Sequence, residues 1–328
     1  MAKINGTNRS EYLNGTNSND IMSGYAGNDT ILGNNGNDVI YAGDGNDVLF
    51  KVDDISFVEK FWGTVGADTM YGGKGNDKYL VDNVKDSVIE YQAEGIDTVY
   101  TNLKTYTLPD NVENAWQIIA GNKDLYGNSL DNVLHGNCGW NYIYGGVGND
   151  TIFGGGYGHD TLDGGDGSDY IVASTRVCKL YGDLGDDTLV GGYGSDTLCG
   201  GSGSDKYTGF YRNLDNDGVT FKIGFGNDII RDYTDNENYA PDTSGTDLLN
   251  INTFSTSQVS LRAIDVDKDG KLDGLYINTG KYGSVQIEHY FNDSSKLLSN
   301  STPGNGCIEG ILFDKQLMHF DDIVNYLT

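Results

Sequence analysis

The sequence predicts an all-β chain, a parallel β-roll (a β-helix solenoid) built from nine-residue repeats in two arrays. Three observations predict it. A block of nine residues recurs with its phase held; an aspartate returns at its sixth place and a large apolar residue at its eighth; and glycine reaches 48 residues against 3 prolines. That composition is turn-rich without being collagenous or a proline-rich linker.

The block reads GGxGxDxUx, with U the apolar residue. It appears as GYAGNDTIL at 24–32, GNNGNDVIY at 33–41 and AGDGNDVLF at 42–50, after weaker copies that start at Gly6 and Gly15. An interruption follows, and GTVGADTMY and GGKGNDKYL fill 63–80. The second array starts at Gly127 with GNSLDNVLH and GNCGWNYIY. It then sharpens into GGVGNDTIF at 145, GGYGHDTLD at 155, GGDGSDYIV at 164, GDLGDDTLV at 182, GGYGSDTLC at 191 and GGSGSDKYT at 200. Gly154 shifts the phase once, and ASTRVCKLY at 173–181 loses every glycine yet keeps the length and places Leu180 at the apolar position.

Each part of the block has a mechanical reading. Glycines at positions one, two and four are expected to supply backbone angles closed to other residues, so that six residues make a tight turn with carbonyls facing inward. The aspartate adds a carboxylate, and xUx is a short strand whose central side chain points to one face. Two blocks make a coil of eighteen residues, and turns eighteen apart stack at about 4.8 Å. The apolar ladder Met22, Ile31, Ile40, Leu49, Ile143, Ile152, Leu162, Ile171, Leu180, Leu189 and Leu198 fills the thin interior. So little core does not offset the backbone entropy of so much glycine, and bound metal is expected to supply the difference.

Carbonyls and carboxylates from two stacked turns are the hard oxygen donors that calcium takes. The candidate ligands in the first array are Asp20, Asp29, Asp38, Asp47, Asp68 and Asp77, with the backbone of Gly24, Gly33 and Gly72. In the second they are Asp150, Asp160, Asp169, Asp187, Asp196 and Asp205, with Gly145, Gly164, Gly182 and Gly191. One edge of the second array stacks Asp150, Asp169, Asp187 and Asp205 as an unbroken row. The other stacks Asn141, Asp160, Cys178 and Asp196, so a thiol interrupts it. Cys138 and Cys178 fall two coils apart, about 9.6 Å, beyond disulfide reach, and are expected as free thiols. With no CxxC and no close histidine, Cys138, Cys178, Cys199 and Cys307 do not suggest zinc.

The net charge of -27 argues against nucleic acid or anionic lipid as a partner and for a cation. A hydrophobic share of 37% with 23 tyrosines is too high for a disordered chain. No run reaches transmembrane length, and the opening MAKINGTNRSEYL holds no apolar stretch of the kind a cleavable signal needs. The acidic end, finishing FDDIVNYLT, suits either an uncleaved C-terminal export signal or the closing strand of a cap.

These repeats resemble the repeats-in-toxin (RTX, hemolysin-type) family of secreted Gram-negative and cyanobacterial proteins. The resemblance implies a right-handed roll, multiple calcium ions, export by type I secretion machinery and an extracellular location. It also implies a β-rich cap after the last repeats, here from IGFGNDIIRDY onward, where Asp228 and Asp247 keep the turn chemistry as lesser candidates. It implies wider coils with longer strands between the arrays, here 81–126, where Asp97 is a relic of the turn. The organisation expected is 1–62, a first array with KVDDISFVEKFW at 51–62 as a small inserted helix or loop; 63–126, two repeats and a spacer; 127–209, the second array; and 210–328, the cap.

DVDKDGKLDG from Asp265 resembles an EF-hand start. Tyr276 stands where a bidentate glutamate belongs, which favours a polar hairpin turn. Neither HExxH nor GxSxG occurs, and His135, His159, His289 and His319 are scattered, so no catalytic residue is assigned. The expected role is a secreted binding or structural module, or the C-terminal part of a toxin or adhesin. The alternative is the non-catalytic C-terminal module of a secreted protease, lipase or epimerase. Two GTN triplets, at 6–8 and 15–17, are too few for an ordered ice-binding face.

Overall fold

The computed structural model describes residues 1–49, 66–191 and 196–208, and beyond them the strands at 220–222, 226–231, 248–250, 260–264, 274–278, 283–288, 310–313 and 316–319. Among the described residues every regular element is a strand, and no helix is long and apolar enough to cross a membrane. The chain divides into two compact units, Met1–Val147 and Gly148–Thr328. The expected insert at 51–62 lies outside the described residues.

In the first unit Lys3–Asn5, Ile21–Ala26, Val39–Asp44, Thr69–Lys74 and Ser87–Ile89 pair in that order as one parallel sheet. The alternate strands Tyr12–Asn14, Thr30–Leu32, Val48–Leu49, Lys78–Val81, Thr98–Thr101, Asn114–Gln117 and Val133–His135 form a second. Thr105–Thr107, Lys123–Tyr126 and Asn141–Val147 form a third. Register follows the repeat: Met22 faces Ile40, and Ile40 faces Met70 across the interruption. Stacked position-six residues lie 18 apart in the regular coils and 30 apart where the interruption intervenes. Between the arrays the coils measure 20 and then 16 residues, and their strands hold four residues. The first of these coils is wider than the regular eighteen and their strands are one residue longer than the three of xUx, as expected there, but the second coil is narrower, because turn residues are lost as well as gained.

In the second unit Thr151–Phe153, Tyr170–Val172, Thr188–Val190, Lys206–Thr208 and Gly226–Arg231 stack in parallel. Thr161–Asp166, Lys179–Leu184, Thr197–Ser202, Thr220–Lys222 and Leu248–Asn250 do so in a second sheet. Parallel stacking ends in antiparallel strands: Gly283–Glu288 joins Gly226–Arg231 in parallel and then pairs antiparallel with Gly274–Asn278, which pairs with Ser260–Ile264. In the other sheet Gly310–Phe313 pairs antiparallel with Gln316–His319. The acidic loop from Asp265 joins two antiparallel strands whose nearest partners are Ile264 and Gly274, and its own residues lie outside the described ones.

The whole expected ladder, from Met22 to Leu198, is buried. Leu13, Met70, Tyr79, Val88, Val99, Ala115, Leu125, Leu134 and Tyr207 extend it. Flanking residues point outward, and the rings of Tyr41 and Tyr71 stack on the outer face at 4.8 Å.

Candidate calcium-binding rows

In the aspartate repeats each strand begins immediately after the sixth residue, so the strand register fixes where the carboxylates fall. In the first unit Asp20, Asp38 and Asp68 share one edge with Asp86, while Asp29, Asp47 and Asp77 share another with Asp97. In the second, Asp150, Asp169, Asp187 and Asp205 share an edge, with Asp160, Cys178 and Asp196 on the opposite one. All these aspartates except Asp86 are at most 6% exposed, an unusual place for side chains that almost never bury unless paired.

A backbone ladder holds them. The N–H of Asp20 donates to Asp38 Oδ1 at 2.8 Å, that of Asp38 to Asp68 at 2.8 Å and that of Asp68 to Asp86 at 3.0 Å. Asp29, Asp47 and Asp77 donate in the same way to Asp47, Asp77 and Asp97 at 2.7–2.8 Å. Asp150, Asp169 and Asp187 donate to Asp169, Asp187 and Asp205 at 2.7, 2.8 and 3.0 Å. One oxygen of each carboxylate is thus tied to the neighbouring coil. The other, Oδ2, is buried without a hydrogen-bond partner in Asp29, Asp38, Asp47, Asp77 and Asp187. A buried anionic oxygen with no donor costs several kcal/mol unless a proton or a cation meets it.

The glycines build the rest of the cradle, in a way that differs from expectation at position one. Positive φ occurs at position two, as at Gly43 (116°), and at position four, as at Gly45 (150°), whereas Gly24 and Gly33 at position one do not adopt it. There glycine is wanted for room: a Cβ on Gly24, Gly33, Gly72, Gly164 or Gly182 would collide with Oδ2 of its own repeat's aspartate. At position four both reasons apply. The carbonyl oxygens of Gly27, Gly45 and Gly75 stand where a Cβ on Gly45, Gly75 and Gly95 would fall, and those of Gly148, Gly167 and Gly185 do so for Gly167, Gly185 and Gly203. A column of carbonyls therefore runs beside the column of carboxylates. Gly154 enlarges its turn from within, standing near Asp160 Oδ2 while Gly155 takes the positive φ. Gly145 lies buried in Asn141–Val147, and Gly191 is buried beside the strand Thr188–Val190.

Burial dominates the electrostatics. It raises Asp38 and Asp47 to about 6, Asp187 to about 7 and Asp77 to about 8, with neighbouring carboxylates adding to the rise. Asp20, at the start of its row, is instead lowered by the N–H of Ala2. Hard oxygens, a carbonyl column and partnerless carboxylate oxygens fit a divalent cation of the calcium class.

Some rungs are finished differently. Cys178 donates its N–H to Asp196 Oδ1 at 2.7 Å, so the ladder continues, but its buried thiol bonds to Arg176 O at 3.0 Å and Ser174 Oγ at 3.2 Å. Ser174 Oγ donates to Gly158 O at 2.8 Å. At Cys178, where an interruption is expected, the turn's own side chains take one of its carbonyls and one of the stacked turn, and Cys138 and Cys178 form no disulfide. In the first unit Asn132 stands at position six and donates to Glu113 O at 3.2 Å, while Asn141 donates to Lys123 O at 3.3 Å. Lys123 pairs in register with Asn141, so it too fills position six. It is 8% exposed, and its ammonium donates to the carbonyls of Asn102 and Leu103.

Asp228 lies in Gly226–Arg231, where Ile229 and Ile230 pair with Lys206 and Tyr207, so its backbone continues the Asp205 edge. Asp247 lies outside the described residues. Sequence reasoning passed over Asp86, Glu90, Glu113 and Lys123. Asp86 was recoverable from spacing, nine residues after Asp77 and eighteen after Asp68, although its repeat has no glycine. The others lacked any consensus neighbour.

Among known families the chain matches the RTX calcium-binding nonapeptide repeat, over residues 5–39, 14–49, 58–83, 126–156, 155–174 and 179–207. No curated protein matches the chain.

Proposed function

The chain carries the calcium-binding nonapeptide repeats of the RTX family in a parallel β-solenoid, and from that premise we propose that it is a secreted module whose roll folds on meeting extracellular calcium after type I export. Its role once folded is binding or structural, as a repeat protein or as the C-terminal part of a toxin or adhesin, and it is not catalytic. The observation that carries this reading is the pair of buried columns, carboxylates with partnerless Oδ2 atoms beside stacked glycine carbonyls.

Calcium supplies the divalent charge and the demand for six to eight oxygens that such columns satisfy. The chain does the rest. Where calcium is scarce, stacked carboxylates about 4.8 Å apart repel and their desolvation is uncompensated, so the extended chain is favoured. Extracellular modules bind at about 10⁻⁴ to 10⁻³ M, which places the transition outside the cell. The antiparallel strands from Ser260 onward finish the parallel sheets and shield their edges.

Circular dichroism of the full chain tests the reading. Mostly coil is expected in EGTA and a full β signal on adding calcium, with calorimetry counting the ions. A full β signal in EGTA at neutral pH refutes it.

A further inference from the structure

The strand Ser87–Ile89 pairs with Thr69–Tyr71, so Glu90 falls opposite Gly72, at the first position of its repeat, where the consensus has glycine. Its side chain occupies space that glycine leaves empty elsewhere. Glu90 is 5% exposed, Oε1 accepts the hydroxyl of Tyr79, and Oε2 is buried without a hydrogen-bond partner. Tyr79 sits at the eighth position, where aliphatic residues predominate, and is fully buried, so its hydroxyl aims Glu90 from inside the core. Asp77 is also fully buried with Oδ2 partnerless, while its Oδ1 accepts the N–H of Asp47. Oxygens of Asp77, Glu90 and Asp97 all lie within 4.8 Å of one another. Gly72 keeps the space open, since a Cβ there would collide with Asp77 Oδ2, Glu90 Oε1 and the Tyr79 hydroxyl.

We propose that Glu90 joins Asp77 and Asp97 in a three-carboxylate calcium site, distinct from the consensus rungs in charge and in its glutamate ligand, and that this site fills first. The proposal rests on the calcium-binding reading of the rows. Affinity at oxygen sites rises with the number of charged ligands. One additional carboxylate, already oriented by Tyr79, separates this site from the two-aspartate rungs by about tenfold or more in Kd.

The test is calcium calorimetry on the full chain, with terbium luminescence as a second readout. The parent is expected to show one tight ion ahead of a weaker class. Glu90→Gln keeps the size and an oxygen for Tyr79; it is expected to weaken the tight step about tenfold or more and leave the weaker class intact. Tyr79→Phe keeps all three carboxylates and is expected to weaken the same step alone. Asp187→Asn, in the other unit, is expected to spare it. A tight step that survives both Glu90→Gln and Tyr79→Phe, or a parent whose ions all bind alike, overturns the proposal while leaving the calcium reading standing. A parent that takes up no calcium overturns both.

Discussion

Replacing Asp187 by asparagine separates the metal's contribution from that of the hydrogen-bond ladder. Asp187 uses Oδ1 to accept the N–H of Asp169 at 2.8 Å, and its own N–H reaches Asp205 at 3.0 Å. Oδ2 has no partner. Asparagine keeps the carbonyl acceptor and the shape, so the ladder survives, but it puts an amide N–H₂ where a cation would sit. The loss is then one site's worth of binding. With Kd between about 10⁻⁴ and 10⁻³ M and 10 mM calcium, a site stabilises the fold by about 1.4 to 2.7 kcal/mol. Asp187→Asn should lose that amount in urea unfolding at 10 mM calcium and should bind fewer ions by calorimetry. Asp187→Ala should lose about 1–3 kcal/mol more, because the buried N–H of Asp169 is then stranded. An asparagine variant with the parent's stability and the parent's stoichiometry would show that the aspartate row is only a ladder.

Four other outcomes follow from the position-six residues. Cys178→Asp should add an ion to the calorimetric count, since Ala42 with Asp47 shows that alanine at position one tolerates an aspartate at position six; an unchanged count would contradict this. Lys123→Met removes the donor to Asn102 O and Leu103 O and should cost about 1–3 kcal/mol to the same extent at 1 mM and 10 mM calcium, as read from urea unfolding. Acid should partly replace calcium in the metal-free chain. Asp38, Asp47, Asp187 and Asp77 have folded pKa values raised to about 6 to 8 against about 3.9 unfolded, so their contribution favours folding at low pH and is lost as pH rises through that window. Circular dichroism in EGTA should therefore show more β-structure at pH 5 than at pH 8. By the same linkage, calcium uptake at pH 7 should release protons, seen as a buffer-dependent binding enthalpy.

Much of the fold was legible because the repeat couples two independent signals. An apolar residue at position eight survives where glycine does not, as at Leu180, so the coil could be followed through ASTRVCKLY, and the structure buries Leu180 in register with Leu162 and Leu198. Legibility failed where a residue's meaning depends on its stacked neighbour. Glu90 is an ordinary glutamate in the string VIEYQAEG; only the pairing of Ser87–Ile89 with Thr69–Tyr71 brings it opposite Gly72 and under Tyr79. The 16-residue coil ending at Glu113 hid in the same way, since no glycine marks that turn, yet Glu113 Oε2 still accepts the N–H of Asp97 at 2.7 Å. The role of glycine at position one was also misjudged from composition, because two different demands, positive φ and close approach, select the same residue.

Position six is thus one mechanical slot with several chemical solutions. Every occupant must help hold the neighbouring coil, and the turn's carbonyls must then be met by something. In the proposed reading aspartate calls in a divalent ion; Lys123 brings its own ammonium; Asn132 and Asn141 bring amide N–H groups; Cys178 works with Ser174. Only the first solution depends on the medium. The rungs carrying Lys123, Asn132 and Asn141 lie on consecutive half-coils in the first unit, with Leu125, Leu134 and Ile143 fully buried beneath them. In EGTA, amide hydrogen exchange should therefore be slowest in the strands Lys123–Tyr126, Val133–His135 and Asn141–Val147, and the aspartate rungs should gain protection only on adding calcium. Uniformly fast exchange across all of these strands without calcium would mean that the internal donors do not substitute for the ion.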